Sequence, residues 1–291
     1  MKIYDTVVFH YPCQDGLASA WVVYHYHKIH NQNIELYPIQ HGTPLDINKL
    51  TNKKVLFCDY SPSVEILEQL ETKTTRLCIL DHHISAKLAL ENKSYAIFDM
   101  NKSGAGLTWE YFFSEPIPDF ILMIQDRDLW TWKLPKSRAF TSAFYTVCSS
   151  IEWNNFSELF KLFDKLLENE NGSDFYINMG TILDKVQYNK SKYISDEHAK
   201  KINKYKEYNV CIVNCSHELA SDVGNMLTSL DNVLIDFAVL WRYHHPTEEY
   251  FVSLRANNKV DVSKIAKEFG GGGHANASGF KTKINPIQLF S

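Results

Sequence analysis

Ile79-Leu80-Asp81-His82-His83-Ile84-Ser85 is the stretch from which the fold can be read. The apolar run 77–80 breaks off at an acid and two imidazoles. A buried strand that delivers Asp-His-His at its tip belongs to an open α/β sheet, where ligands collect beyond the carboxyl ends of the strands. Imidazole and carboxylate together form a donor set for Mn, Zn or Fe rather than for Ca or Mg. Taken alone, the stretch reads equally well as a polar turn with a satisfied histidine. Its recurrence along the chain favours a site.

Working outward, residues 6–10 (Thr-Val-Val-Phe-His) read as a short buried strand ending at His10. A turn through Cys13, Gln14, Asp15 and Gly16 follows, then a helix over 17–28, where Asp15 also suits a helix N-cap. Residues 34–39 are a second strand and 54–59 a third, which ends in Asp59. Tyr60-Ser61-Pro62-Ser63 caps a helix over 64–71, 96–99 is another strand, and Ser103 caps a helix running to Phe113. The apolar segment 120–125 leads into Asp126-Arg127-Asp128-Leu129-Trp130. Strands alternating with helices predict a mostly parallel sheet with helices on both faces.

His10, Asp15, Asp59, Asp81, His82 and Asp126 then all fall at or just past the ends of apolar segments, so they are expected to converge at one edge of the sheet. So many acids and imidazoles would repel and desolvate one another without cations. Their number exceeds what one metal with an open position needs. It fits two metals about 3.5–4 Å apart sharing a carboxylate bridge.

From 151 to 208 the chain reads as helical, with a break at Asn169-Glu170-Asn171-Gly172-Ser173 and a long amphipathic helix from 177 to about 208, either a connector between two lobes or a helical appendage of the first domain. A second domain is expected from 209, with strands at 210–213, 237–241 and 250–255 and helices over 220–230 and 262–269. Four glycines, Gly270 to Gly273, precede His274. Glycine leaves backbone N–H groups open to an anion, and a helix starting near His274 would add its dipole. Gly271, Gly272, Gly273 and His274 are therefore candidate substrate-binding residues, with Arg255 as a bidentate phosphate partner. The expected architecture is α/β with two lobes: a catalytic domain over 1–150 with a mostly parallel sheet, a helical linker over 151–208, and a smaller α/β domain over 209–291.

The bulk numbers narrow the function. A 291-residue chain with 45% hydrophobic and 22% charged residues has the composition of a soluble globular protein. Its net charge of −4 offers no global basic field for long double-stranded DNA. No apolar run approaches the roughly 18 residues of a membrane helix, the first residues lack a signal-peptide pattern, and the six cysteines lie mostly in apolar runs. A cytoplasmic protein with reduced thiols is expected. A zinc pair at Cys211 and Cys215 has no second pair to complete it.

These residues resemble the DHH phosphoesterase superfamily over almost the whole chain. The name-giving motif stands here as Asp81-His82-His83. Phe9-His10-Tyr11-Pro12-Cys13-Gln14-Asp15-Gly16 resembles its first motif, Asp59 its second and Asp126 its fourth. Ser253-Leu254-Arg255 with Gly270 to His274 and Gly279 resembles the family's C-terminal substrate-binding domain. The resemblance implies two Mn²⁺ ions, with Mg²⁺, Zn²⁺ or Fe²⁺ as alternatives. One would be held by His10 and Asp59, the other by Asp15, Asp59, His82 and Asp126, with Asp59 bridging. His83 would face the scissile phosphate and Asp81 would orient the histidines. Asp128 competes with Asp126 for the last ligand position, because spacing does not separate them. The first motif departs from the common pattern. Cys13 stands where many members have an aspartate, in a shortened His-x-x-Cys-x-Asp-Gly form, so it either ligates as a thiolate or leaves that position to water.

The expected activity is hydrolysis of a phosphoester by in-line attack of metal-activated water. The substrates would be short: dinucleotides, oligoribonucleotides of a few residues, or a 3′,5′-bisphosphorylated nucleoside. Tyr11, Tyr60 and Trp130 could stack a base, although aromatic residues of this kind more often belong to the core. Cleavage of pyrophosphate or polyphosphate is the alternative, and a non-catalytic nucleotide-binding module the third reading. The oligomeric state stays open, a homodimer included.

Overall fold

A computed structural model describes residues 1–40, 42–169, 171–229 and 234–291. It divides into two units, Met1–Asp184 and Lys185–Ser291.

The first unit is built on five strands: β1 (Thr6–His10), β2 (Glu35–Ile39), β3 (Lys54–Cys58), β4 (Arg76–Asp81) and β5 (Ala96–Phe98). All pair in parallel, in the order β2-β1-β3-β4-β5. Successive side chains point to opposite faces. Accordingly Val7, Phe9, Leu56, Cys58 and Leu80 join one core cluster while Val8, Val55, Phe57 and Ile79 join another. Burial on both faces explains the unbroken apolar runs.

The helices of this unit are α1 (Gln14–Ile29), α2 (Val64–Lys73), α3 (Ile84–Leu90), α4 (Gly104–Phe112), α5 (Asp119–Asp128), α6 (Ser137–Ser149) and α7 (Phe156–Glu168); α8 (Gly172–His198) follows. Helices α1, α4, α5, α6 and α7 supply Trp21, Trp109, Phe120, Phe144 and Phe163 to the first cluster, and α2 supplies Leu67 and Leu70 to the second. The expected doubly covered parallel sheet is therefore present. Strand order runs one way from β1 to β2 and the other way from β1 to β3, which makes the carboxyl end between β1 and β3 the topological switch point.

The segment expected as a separate helical linker has a different arrangement. Leu159, Phe160, Phe163 and Leu166 of α7 lie in the first unit's core, and the boundary between the units falls within α8. The long helix ends at His198, not near 208. Residues Asn203–Tyr205 form a strand, β6, which turns at Lys206 (φ +53°) and pairs with β7 (Tyr208–Asn214). In the break before α8, Glu170 lies outside the described residues.

The second unit carries a six-stranded mixed sheet in the order β10-β11-β9-β8-β7-β6, with β8 (Phe237–His244), β9 (Glu249–Ala256), β10 (Gly272–Gly273) and β11 (Ala277–Thr282). Helix α9 (His217–Thr228) covers one face through Ala220, Val223 and Leu227; the expected end of this helix at Leu230 lies outside the described residues. Helix α10 (Val262–Glu268) packs on the other face through Val262, Ile265 and Ala266, and α11 (Pro286–Leu289) closes the chain. The helix expected from His274 is not formed. Gly272 and Gly273 pair antiparallel with Gly279 and Ser278, and His274 and Ala277 exchange backbone hydrogen bonds across the turn.

No helix among the described residues is long and apolar enough to cross a membrane.

Candidate metal centre

Parallel pairing brings the ends of β1, β3 and β4 to one edge. Phe9 pairs with Cys58, Cys58 pairs with Leu80, and the Asp59 N–H donates to the Leu80 carbonyl at 2.9 Å. His10, Asp59 and Asp81-His82 are thus neighbours in space although 71 or more positions separate the first from the last pair. Asp59 is buried and adopts φ +53°, a conformation that costs a non-glycine residue roughly 1–3 kcal/mol and tends to persist at functional positions.

The Asp59 carboxylate faces both ways. Its Oδ2 is 3.6 Å from His10 Nδ1 and its Oδ1 is 3.2 Å from His82 Nε2. Asp15, in the first turn of α1, and Asp128, at the end of α5, complete the second side. Ligand atoms of Asp15, His82 and Asp128 lie within 4.8 Å of one another, and Asp128 Oδ2 is 3.3 Å from His82 Nε2.

Helix α4 closes the site from behind. Its Ala105 N–H donates to Asp15 Oδ1 at 3.1 Å. A Cβ on Gly104 would stand 2.6 Å from Asp59 Cβ and 2.8 Å from Asp15 Oδ2, so only glycine lets the helix approach the two acids this closely. Asp81 is the organiser: its Oδ1 accepts from the His82 N–H (2.7 Å), the His83 N–H (3.2 Å) and His83 Nδ1 (2.6 Å), while its Oδ2 accepts from Ser61 Oγ (2.6 Å). Both Asp81 oxygens are engaged in these hydrogen bonds, which fix the orientation of the His83 ring.

The electrostatics call for cations. Burial, followed by the charges of Asp128 and Asp59, pushes the Asp15 carboxyl well above its ordinary value, and burial also pushes Asp128 up. Asp59 is held down: burial opposes its charge, but hydrogen bonds from His10 and His82 prevail. His82 rises to about 10; burial disfavours its charge, but the Asp59 hydrogen bond and the Asp128, Asp59 and Asp15 charges outweigh it. His83 rises to about 9 in the same way, through Asp81. Among the described residues, Asp15 Oδ2 is buried with no hydrogen-bond partner. A buried acceptor without a partner beside two further carboxylates is the arrangement that divalent cations satisfy, so the donor set fits a metal pair.

Of the residues singled out from sequence, His10, Asp15, Asp59, Asp81, His82 and His83 come together here. Asp126 does not. Its carboxylate turns away and accepts from Thr131 Oγ1 (2.6 Å), the Lys133 N–H (2.8 Å), the Leu134 N–H (3.0 Å) and Ser137 Oγ (2.5 Å), tying down the loop between α5 and α6. Asp128 takes its place at the site. Of the aromatic residues, Tyr60 is buried in the core and Tyr11 packs edge-on against Phe9 and Phe156. Ser61, Gly104 and Ala105 read in the sequence only as parts of helix starts, because nothing in their spacing ties them to Asp81, Asp59 and Asp15.

In the second unit, Arg255 extends along α9. Its Nη2 donates to Ser221 Oγ (3.0 Å) and its Nη1 to the Leu254 carbonyl (2.9 Å), and among the described residues it has no carboxylate partner. Burial pulls its guanidinium down to about 10, leaving it charged at neutral pH. A small pocket on this face is lined by Cys215, His217, Leu240, Arg242, Phe251 and Ser253, with the Arg242 guanidinium 4.6 Å from the Phe251 ring centroid. Burial lowers His217, and repulsion from Arg255 and Arg242 adds to the effect. Arg242 and His217 are cationic or cation-capable groups that the sequence did not single out. The glycine run is in part a packing requirement. A Cβ on Gly271 would stand 2.1 Å from the Gly279 carbonyl oxygen, whereas one on Gly272 would meet nothing within 4 Å.

The chain is similar to several known proteins. The DHHA1 domain family matches residues 208–290. An uncharacterised protein of Acanthamoeba polyphaga mimivirus is 34% identical over 94% of this chain and 66% of its own length, so the chain spans just under two thirds of that relative. A 3′,5′-cyclic-nucleotide phosphodiesterase of Helicobacter pylori is 24% identical over 73% of this chain and 70% of its own. The structure of RecJ from Thermus thermophilus in complex with Mn²⁺ superposes with a TM-score of 0.53 and 13% identity, covering 98% of this chain and 50% of RecJ. Residues 208–290 thus carry a DHHA1 domain, and the chain shares its fold with RecJ.

Proposed function

We propose that this protein is a metal-dependent phosphoesterase acting on short nucleic-acid fragments or nucleotides: dinucleotides, oligoribonucleotides of a few residues, or 3′,5′-bisphosphorylated nucleosides. The observation that carries the reading is the buried Asp59 carboxylate, whose two oxygens face His10 on one side and His82 on the other. A single acid placed between two donor sets is the bridge of a two-metal centre. His10 and Asp59 would hold one ion, and Asp15, Asp59, His82 and Asp128 the other, with Mn²⁺ the first candidate. The pair, when bound, supplies an activated water and neutralises charge developing at phosphorus.

The protein's own groups provide the rest. Asp81 holds the His83 ring at 2.6 Å and raises its pKa, so His83 offers an N–H donor to a phosphate oxygen or to the departing oxygen. Arg255 and the neighbouring Arg242 would bind a further anionic group of the substrate. The absence of a strong net positive charge accords with short substrates rather than long duplex DNA. Six free cysteines are in keeping with a cytoplasmic setting.

The test is hydrolysis of a 5′-labelled RNA dinucleotide by Mn²⁺-loaded protein, with pyrophosphate alongside and a chelator control. Chelator-sensitive release of mononucleotide is the expected result. Cleavage of pyrophosphate alone would move the protein to the small-anion class, and turnover unaffected by chelation would overturn the metal centre.

A further inference from the structure

We infer that Cys13 is a direct metal ligand and that it makes the two cation positions chemically unequal. One would be a His10–Cys13–Asp59 position for a borderline-soft ion such as Zn²⁺, Fe²⁺ or Co²⁺, the other an oxygen-and-nitrogen position for Mn²⁺. The inference rests on the metal-centre reading above and goes beyond it in naming a ligand and a selectivity.

The geometry comes first. Cys13 Sγ, a His10 ring nitrogen and an Asp59 carboxylate oxygen lie within 4.8 Å of one another. Ligands around a tetrahedral zinc stand about 3.3–3.8 Å apart, given bond lengths of roughly 2.0–2.3 Å. The three donors therefore need only close inward onto an ion. The second donor set, Asp15, His82 and Asp128, meets the same distance criterion and contains no sulfur. Thiolate favours Zn²⁺ and Fe²⁺, whereas carboxylate and water favour Mn²⁺, so the difference between the positions is built into the residues.

The local structure leaves the sulfur available. Cys13 occupies the N-cap of α1 in an extended conformation (φ −151°, ψ 141°), and its side chain makes no capping hydrogen bond. An oxygen-bearing residue at that position would ordinarily turn back onto the helix. Burial, followed by the charges of Asp59, Asp128 and Asp15, pushes the Cys13 thiol well above its ordinary value, so the ion itself must displace the proton. Ligation exchanges the thiol proton for the ion, with an S–metal bond formed, one proton released and no oxidant needed. Cys13 is partly exposed, as is Cys215, while Cys58, Cys78, Cys148 and Cys211 are buried. Cys215 lies in the second unit, belongs to neither donor set, and serves as an internal reference.

The whole chain, loaded with Co²⁺ to a stoichiometry measured by elemental analysis, is expected to show a thiolate-to-cobalt charge-transfer band in the near ultraviolet. Cys13→Ser is expected to lose the band and to bind Zn²⁺ at least about tenfold more weakly; Cys13→Asp should recover a second Mn²⁺ without the band. In the unaltered protein, Zn²⁺ should slow iodoacetamide labelling of Cys13 about tenfold or more while leaving Cys215 unchanged, a measurement that needs no variant to fold. Two cobalt ions bound without the band, or labelling of Cys13 indifferent to Zn²⁺, would overturn the role of Cys13 and leave the metal centre standing. Failure of the protein to bind any divalent ion would overturn both.

Discussion

Asp128 Oδ2 lies 3.3 Å from His82 Nε2, while Asp126, one helical half-turn away, spends its carboxylate on the loop from Thr131 to Ser137. The two acids share a helix end but not a task. Asp128 sits beside His82 and Asp15, and Asp126 holds the loop behind them.

Replacing each should therefore have separable effects. Asp128→Ala is expected to lower Mn²⁺ affinity and hydrolysis by 10-fold or more, on the order of what the loss of a metal-site interaction costs, with melting temperature in the absence of metal little changed. Asp126→Ala should destabilise the fold by about 1–3 kcal/mol, the cost of leaving buried hydrogen-bond donors unpaired, and lower activity only as far as the loop shifts. Titration calorimetry and thermal melts on both variants separate the roles; equal loss of metal affinity would contradict the assignment.

Asp126 also predicts an acid limb of stability. Burial opposes its charge, but hydrogen bonds from Ser137, Thr131, Lys133 and Leu134 hold its pKa below the ordinary carboxylate value. A group with a depressed folded pKa contributes stability that is present above the unfolded value, about 3.9, and is lost as pH falls through the folded one. Denaturant melts between pH 6 and pH 3 should show that loss in the unaltered protein and less of it in Asp126→Asn.

Asp59→Ala should abolish binding of the proposed metal pair, because this one carboxylate lies against both His10 and His82. Elemental analysis should find at most one ion per chain, and hydrolysis should fall by several orders of magnitude. Two ions retained with full turnover would contradict the bridge.

Gly104 tests the backing of the site without touching a ligand. Gly104→Ala places a methyl group 2.6 Å from Asp59 Cβ and 2.8 Å from Asp15 Oδ2, closer than carbon contacts allow, so α4 or the acids must move. Mn²⁺ affinity is expected to fall about tenfold or more. Unchanged affinity would show that the helix can yield.

Arg255→Ala and Arg242→Ala should raise KM for an anionic substrate by about tenfold or more, as the loss of a charge-assisted hydrogen bond does, with smaller effects on kcat. A loss confined to kcat would place these residues elsewhere in the mechanism.

Much of the fold was legible in the chain. Apolar runs such as 6–9 and 55–58, each closed by an acid or a histidine, are what a parallel sheet covered on both faces requires. Two faces of burial leave no polar alternation, and the strand tips are the only place for a ligand. The resemblance to the DHH superfamily was carried by those same tips. Helical spacing does not separate the two acids: Asp126 lies three residues beyond Met123 and Asp128 four beyond Ile124, and it is Asp126, the one holding the loop, that is buried.

What the tertiary structure alone decided was which polar atoms meet across long separations in sequence. The division of labour between Asp126 and Asp128 depends on the loop from Thr131 to Ser137 folding back. The anchoring of Asp15 depends on the amide of Ala105, 90 residues away, and that of Asp81 on Ser61. The hairpin at Gly272 and Gly273 replaced the expected helix because their backbones find partners in β11. Periodicity and composition act along the chain and specify which side of an element is buried; a hydrogen bond between distant segments is set only when packing has chosen their register.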